Sequence, residues 1–129
     1  MMATEPKTST TAGTFDFGDG PVAAHRHRNP DGTTGGWVAE TAWVSPKAWI
    51  SIASQVFEVA RVLDRARVLD GARVFGEAII CGDAVVMSLS RASGRAFISG
   101  SAMISGNAMV HGAAQVSGNA HVGLSLIHI

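Results

Sequence analysis

The chain is predicted to be an all-β parallel solenoid, and three observations carry that prediction. A six-residue block repeats without insertion over residues 37–120, giving 84 residues in 14 blocks. Its second position is Val or Ile in 13 blocks and Ala92 in the other, while its sixth is Ala in 12 and Ser in two. From the seventh block onward, the fourth position is Gly in seven of eight cases.

Joining position 6 of one block to positions 1–3 of the next gives small or apolar residues alternating with variable ones. That is strand periodicity, because successive side chains point to opposite faces. Positions 4 and 5 then break the strand. Gly, with Asn107 and Asn119 at position 5 of later blocks, accepts the left-handed backbone of a corner. Each block reads as a strand of about four residues and a two-residue bend. A helix fails, since six residues at about 100° each turn the apolar position through about 240° per block. A flat hairpin meander would need a cover for its apolar face, and the sequence has no amphipathic helix to supply one. A coiled chain covers itself, with Val and Ala on the axis and coils stacked at about 4.8 Å.

Blocks such as MISGNA and QVSGNA resemble those of the hexapeptide-repeat, left-handed parallel β-helix proteins. The resemblance implies a single-stranded left-handed parallel β-helix with three blocks per triangular coil, about 18 residues long. Thr33, Gly35, Gly36, Trp37 and Val38 in GTTGGWV are similar to the entry segment of YdcK-like proteins. Those proteins are commonly labelled transferases on the strength of the repeat. The likeness spans residues 31–123.

A chain of 129 residues with zero formal net charge and 16% charged residues is one domain's worth. It lacks the basic footprint that nucleic acid or an anionic membrane would require. The lone Cys81 excludes an internal disulfide and fits a reducing cytoplasm. No signal-peptide core and no membrane-length apolar run is present, so a cytoplasmic protein is expected.

In chain order, residues 1–20 are expected to form a disordered leader. Residues 21–36 form an entry or cap segment in which Pro30-Asp31-Gly32 marks a turn. The alternating His25 and His27 allow either a small metal or anion site, or an edge strand with solvated side chains. Two His without a third ligand make a poor metal site, so the edge strand is preferred. Residues 37–123 form the solenoid, read as truncated at its C-terminus. Residues 124–129, LSLIHI, leave the repeat and resemble a translated sequencing adapter; they are read as an artefact, with the natural chain continuing past Gly123.

Trp37, Trp43 and Trp49 share position 1 of coil 1 and point outward. They could stack on a sugar or aromatic ligand, but are read as a cap anchoring the entry segment over an open sheet edge. In coils 2 and 3, position 3 becomes Phe57, Leu63, Leu69, Phe75, Cys81 and Met87. This predicts an outward apolar girdle on all three faces, suited to self-association or a protein partner. Equally, these residues could be ladders that reinforce stacking. Arg61, Arg67 and Arg73 border the girdle as solvated side chains. His111 and His121 fall on different faces and are read as solvated.

Two functions follow. In the first, the chain is a non-catalytic scaffold or interaction surface with no catalytic residue, metal or cofactor. The alternative, implied by the resemblance, is a hexapeptide-repeat acyltransferase using acetyl-CoA for O- or N-acetyl transfer, with part of its site missing from this fragment. Such an enzyme would take His111 as general base and the girdle as its trimer contact. The γ-class carbonic anhydrases are a poorer match, since their three-histidine zinc set has no counterpart.

Overall fold

The computed structural model describes residues 9–123 and 126–128. All regular elements among them are strands, and no helix is long and apolar enough to cross a membrane. From residue 37 the chain winds through three parallel sheets, returning to each after 18 residues. The first face begins with β3 (Thr34–Ala39) and stacks Gln55–Val56, Arg73–Val74, Arg91–Ala92, Met109–His111 and Leu126–His128 on it. The second runs from Trp43–Val44 to Gln115–Val116, and the third from Trp49–Ile50 to His121–Gly123. Met109 pairs with Leu126, a spacing of 17, so the frame shortens by one residue where the repeat lapses. The adapter reading for 124–129 otherwise falls partly on residues 124, 125 and 129, outside those described.

Two-residue ladders replace the expected four-residue strands, because positions 3 and 6 already belong to the corner. Ala66 N–H, for example, donates to Leu63 C=O at 3.2 Å, closing a four-residue turn. Positions 1, 3 and 5 donate to the next coil instead: Arg61 to Ala78, Leu63 to Ile80, and Arg65 to Gly82, at 2.7–3.1 Å. Nearly the whole circuit is tied to its neighbour. The axis is filled as the period requires, with Val62, Ala66, Val68, Ala72, Val74 and Ile80 all fully buried in one continuous core. Burying each Val or Ile contributes roughly 1.5–3 kcal/mol. Ser54 and Ser90 replace Ala at the axis without an orphaned hydroxyl, since Ser54 Oγ donates to Asp70 C=O at 3.0 Å and Ser90 Oγ to Met87 C=O at 2.6 Å.

Left-handed corners start earlier than the glycines suggest. Position 4 has positive φ in every block from the fourth onward, including Glu58, Asp64, Asp70 and Ser88 at 57–62°. Each coil-2 carboxylate offsets that strain by accepting an N–H from the coil below. Glu58 takes Gly76 N–H at 2.8 Å, Asp64 takes Gly82 at 3.0 Å, and Asp70 takes Ser88 at 3.1 Å. Asp64→Ala keeps the unfavourable backbone and loses the acceptor, whereas Asp64→Gly loses only the acceptor. The alanine variant is expected to be less stable than the glycine variant by about 1 kcal/mol in urea unfolding. Equal midpoints would show that the corner is unstrained.

The N-terminal region departs from expectation. Residues 9–16 fall within the expected disordered leader, yet β1 (Ser9–Asp16) pairs antiparallel with β2 (Pro21–Arg28), which pairs antiparallel with β3. Residues 1–8 lie outside those described. The meander extends the first face and covers its N-terminal edge, the place where an unpaired solenoid strand would invite foreign strands. Phe15 and Phe17 provide the apolar surface that holds it down.

Candidate functional site

Two regions gather side chains with chemical potential: the capped N-terminal end and a groove beside it. At the cap, β2 brings side chains to the exposed edge of coil 1. His27 is 1% exposed, and its Nε2 donates to Ala48 C=O at 2.9 Å. Asn29 Oδ1 accepts Ile50 N–H at 2.9 Å. Two side chains thus stand in for the strand that coil 1 lacks on its third face. The turn after Asn29 fixes it in place: Asn29 N–H donates to Thr33 C=O at 2.9 Å, and Asp31 Oδ1 accepts both Thr33 N–H and Thr33 Oγ1–H. Those hydrogen bonds, led by the hydroxyl's, hold the Asp31 carboxyl below its usual range. Burial pushes the His27 imidazole below its usual value, with His25 adding to the effect. His27 is therefore not the solvated edge residue expected. Tertiary contact with the end of the coil, which no local pattern encodes, buries it. His25 meets Glu40 at 2.8 Å, and no metal-binding cluster of three ligands occurs among the described residues.

The entry motif has a steric explanation. A Cβ on Gly35 would collide with Ile50 C=O, and one on Gly36 with Ser54 C=O, so only glycine lets this backbone cross the coil end. Trp37 follows, with Phe15 stacked on it at 5.1 Å and the Arg26 guanidinium 5.3 Å from its ring centroid. Phe17 meets Phe15 edge-on at 4.8 Å and stacks on Phe57, which stacks on Phe75, each again at 4.8 Å. Arg73 lies 5.2 Å over Phe57 and donates to Phe17 C=O at 2.7 Å.

This stack corrects the expected girdle. Phe57 is 8% exposed, and Phe75 is packed against the same cluster. The first face is occupied by the chain's own Phe17, and Arg73 is drawn into that contact rather than solvated. Leu63 with Cys81 on the second face, and Leu69 with Met87 on the third, stay half-buried. The three tryptophans also diverge: Trp37 lies under β1, Trp43 is 58% exposed, and Trp49 is half-buried beside the entry turn. Sequence reasoning misses how apolar the second face is at its other positions. Trp43 begins a column that runs through Arg61 and Ile79 to Phe97, itself 37% exposed.

Cys81 is a weaker nucleophile than a free thiol in this setting. Burial, and secondarily the Asp64 charge, push its thiol above the usual value, which lowers its thiolate fraction. Alkylation by iodoacetamide at pH 7.5 is expected to run several-fold slower than for an unstructured cysteine peptide. A rate equal to the peptide's would contradict this. His111 is half-buried on the first face and His121 exposed on the third, at separate positions.

The second region is a groove of about 470 Å³ lined by Pro30, Lys47, Trp49, Arg65, Arg67 and Leu69. The 18-residue stacking builds it. Trp49 pairs with Arg67 in register, Lys47 and Arg65 hold equivalent corner positions one coil apart, and the entry turn adds Pro30 as a wall.

Comparison with known proteins identifies residues 96–112 and 102–118 with the YdcK beta solenoid repeat. No curated protein and no solved structure matches. The matched blocks lie in the most regular coils, those with Gly94, Gly100, Gly106, Gly112 and Gly118 at the corners. With about five turns at 18-residue spacing, the chain is a β-solenoid repeat protein of the YdcK type.

Proposed function

We propose that this solenoid is a non-catalytic scaffold that presents its outer faces to protein, either a second copy of itself or a partner chain. One observation carries the reading: the 18-residue register holds from Trp37 to Gly123, so every residue in that span builds coil. Function usually resides on loops projecting from such a frame; here the flat faces themselves are the product. The second face supports the contact best, because Leu63 and Cys81 flank a column in which Trp43, Ile79 and Phe97 are interrupted only by Arg61. Leu69 and Met87 extend the surface onto the third. Left-handed winding and a cytoplasmic setting belong to the same proposal, supported by the resemblance and by a single cysteine that forms no internal disulfide.

Sedimentation at on the order of tens of micromolar chain tests the self-association arm. The expected result is a dimer or higher state that Phe97→Glu dissociates without changing the circular dichroism spectrum. A strict monomer would remove self-association from the proposal. The acyltransferase alternative makes a different demand, that acetyl-CoA be consumed in the presence of hydroxyl or amine acceptors and that His111→Ala abolish the consumption. We expect no such turnover.

A further inference from the structure

The groove at Trp49 has a composition that a solvated face does not explain. Three cations, Lys47, Arg65 and Arg67, surround an indole and Leu69 in a concave space of about 470 Å³. On the first face the rings acquire partners from the chain itself: Phe15 and Arg26 cover Trp37, and Arg73 covers Phe57. Trp49 has neither a stacked ring nor a guanidinium over it among the described residues, although Arg67 sits beside it in the ladder. The charges are similarly uncommitted. Arg65 reaches Asp83 through Nε at 3.3 Å, but both side chains are well over half exposed, so the pair is weak and exchangeable. Lys47 and Arg67 form no ion pair among the described residues.

We propose that this groove binds a small organic anion carrying a flat ring, with the ring laid against Trp49 and the anionic group between Lys47 and Arg67. The ring gains a stacking surface, and the anion gains charge-assisted hydrogen bonds from two cations fixed one coil apart. Leu69 and Pro30 close the apolar side. Asp83 and Asp64 line neighbouring hollows with Arg65 and Lys47, and their charges disfavour a second anionic group on that side. A nucleoside monophosphate and a fused-ring carboxylate share this chemistry. The site shares only Leu69 with the surface proposed for protein contact, and its other walls, Pro30, Lys47, Trp49, Arg65 and Arg67, lie outside it.

Titration followed by tryptophan fluorescence tests it, with adenosine monophosphate and 1-naphthoate as ligands and adenosine and inorganic phosphate as controls. At least one of the two ring-bearing anions is expected to bind saturably, with Kd on the order of 0.1 mM. Adenosine and phosphate should each bind roughly tenfold or more weakly. Lys47→Gln and Arg67→Gln are each expected to weaken binding about tenfold, the scale of one charge-assisted hydrogen bond, and Trp49→Leu should abolish the fluorescence change. Binding by adenosine monophosphate alone assigns a phosphate ligand, and binding by naphthoate alone a carboxylate. Raising the salt from 50 to 500 mM should weaken the wild-type protein's binding of the anion but not of adenosine, a readout that needs no variant. The proposal is overturned if neither anion saturates below about 5 mM, if adenosine matches adenosine monophosphate, or if Lys47→Gln and Arg67→Gln leave Kd unchanged. Failure here would leave Phe97→Glu dissociation, and with it the scaffold, untouched.

Discussion

Alanine in place of Gly36 is expected to destabilise the fold by about 3 kcal/mol, the upper end for an overpacked site. For a chain of this size that is a fall in Tm of roughly 10 °C. The reason is what the added methyl group would meet. Its Cβ would overlap Ser54 C=O and lie 2.6 Å from Ser51 C=O and 3.0 Å from the Ser54 carbonyl carbon. All three are backbone atoms of coil 1, so no side-chain rotation can relieve the overlap; β3 must lift off the coil end. Lifting β3 also breaks its parallel pairing with Gln55–Val56 and disturbs the Phe15–Trp37 stack. Gly13→Ala is the control. That residue is in β1, where an added Cβ would meet nothing within 4 Å and φ is not positive. There the substitution should be neutral or slightly stabilising, through the unfolded chain. Thermal unfolding followed by circular dichroism distinguishes them, and a Gly36→Ala midpoint within about 2 °C of wild type would refute the crossing argument.

The contrast between Gly36 and Gly94 shows what can be read from the residues alone. Gly94 recurs in a column with Gly76 and Gly112, and periodicity alone marks it as a left-handed corner. The axis is equally legible, because Val and Ala recur at fixed positions and the period leaves them only one place to go. Stacking of Phe57 on Phe75 follows from the same 18-residue arithmetic. Gly36 occurs once, and its constraint comes from carbonyls 15 and 18 residues downstream. Glu58 and Asp64 read as polar bends because their gain, an N–H one coil away, is invisible locally. Phe15 and Phe17 do carry a signal, as two aromatics at strand spacing beside an open edge, but the surrounding Thr and Gly hide it. The Trp49 groove is within reach of the same arithmetic. Pairing each residue with its counterpart 18 positions on places Lys47 over Arg65 and Trp49 over Arg67; only Pro30 needs the folded entry turn.

Acidification is expected to loosen the cap through His27. In the folded chain the imidazole is neutral and buried, and its pKa lies below the ordinary histidine value of 6.5. Above that value both folded and unfolded chains hold a neutral ring, and proton binding contributes nothing to stability. As the pH falls through 6.5, the unfolded chain takes up a proton that the buried ring refuses, so stability declines until the folded-state pKa is reached. Between pH 7.5 and 5 the carboxylates remain largely ionised, and the difference between wild type and His27→Gln isolates the His27 contribution there. Protection of the Ile50 and Ala48 amides from hydrogen exchange should fall over that interval, ahead of core amides such as Val68. His27→Gln, which can still present an N–H to Ala48 C=O, is expected to flatten the dependence with little loss at pH 7.5. His27→Leu removes the donor, leaving that carbonyl unpaired at a cost of about 1–3 kcal/mol, and flattens it as well. If the wild type and His27→Gln lose cap protection in parallel on acidification, the titrating group is not His27.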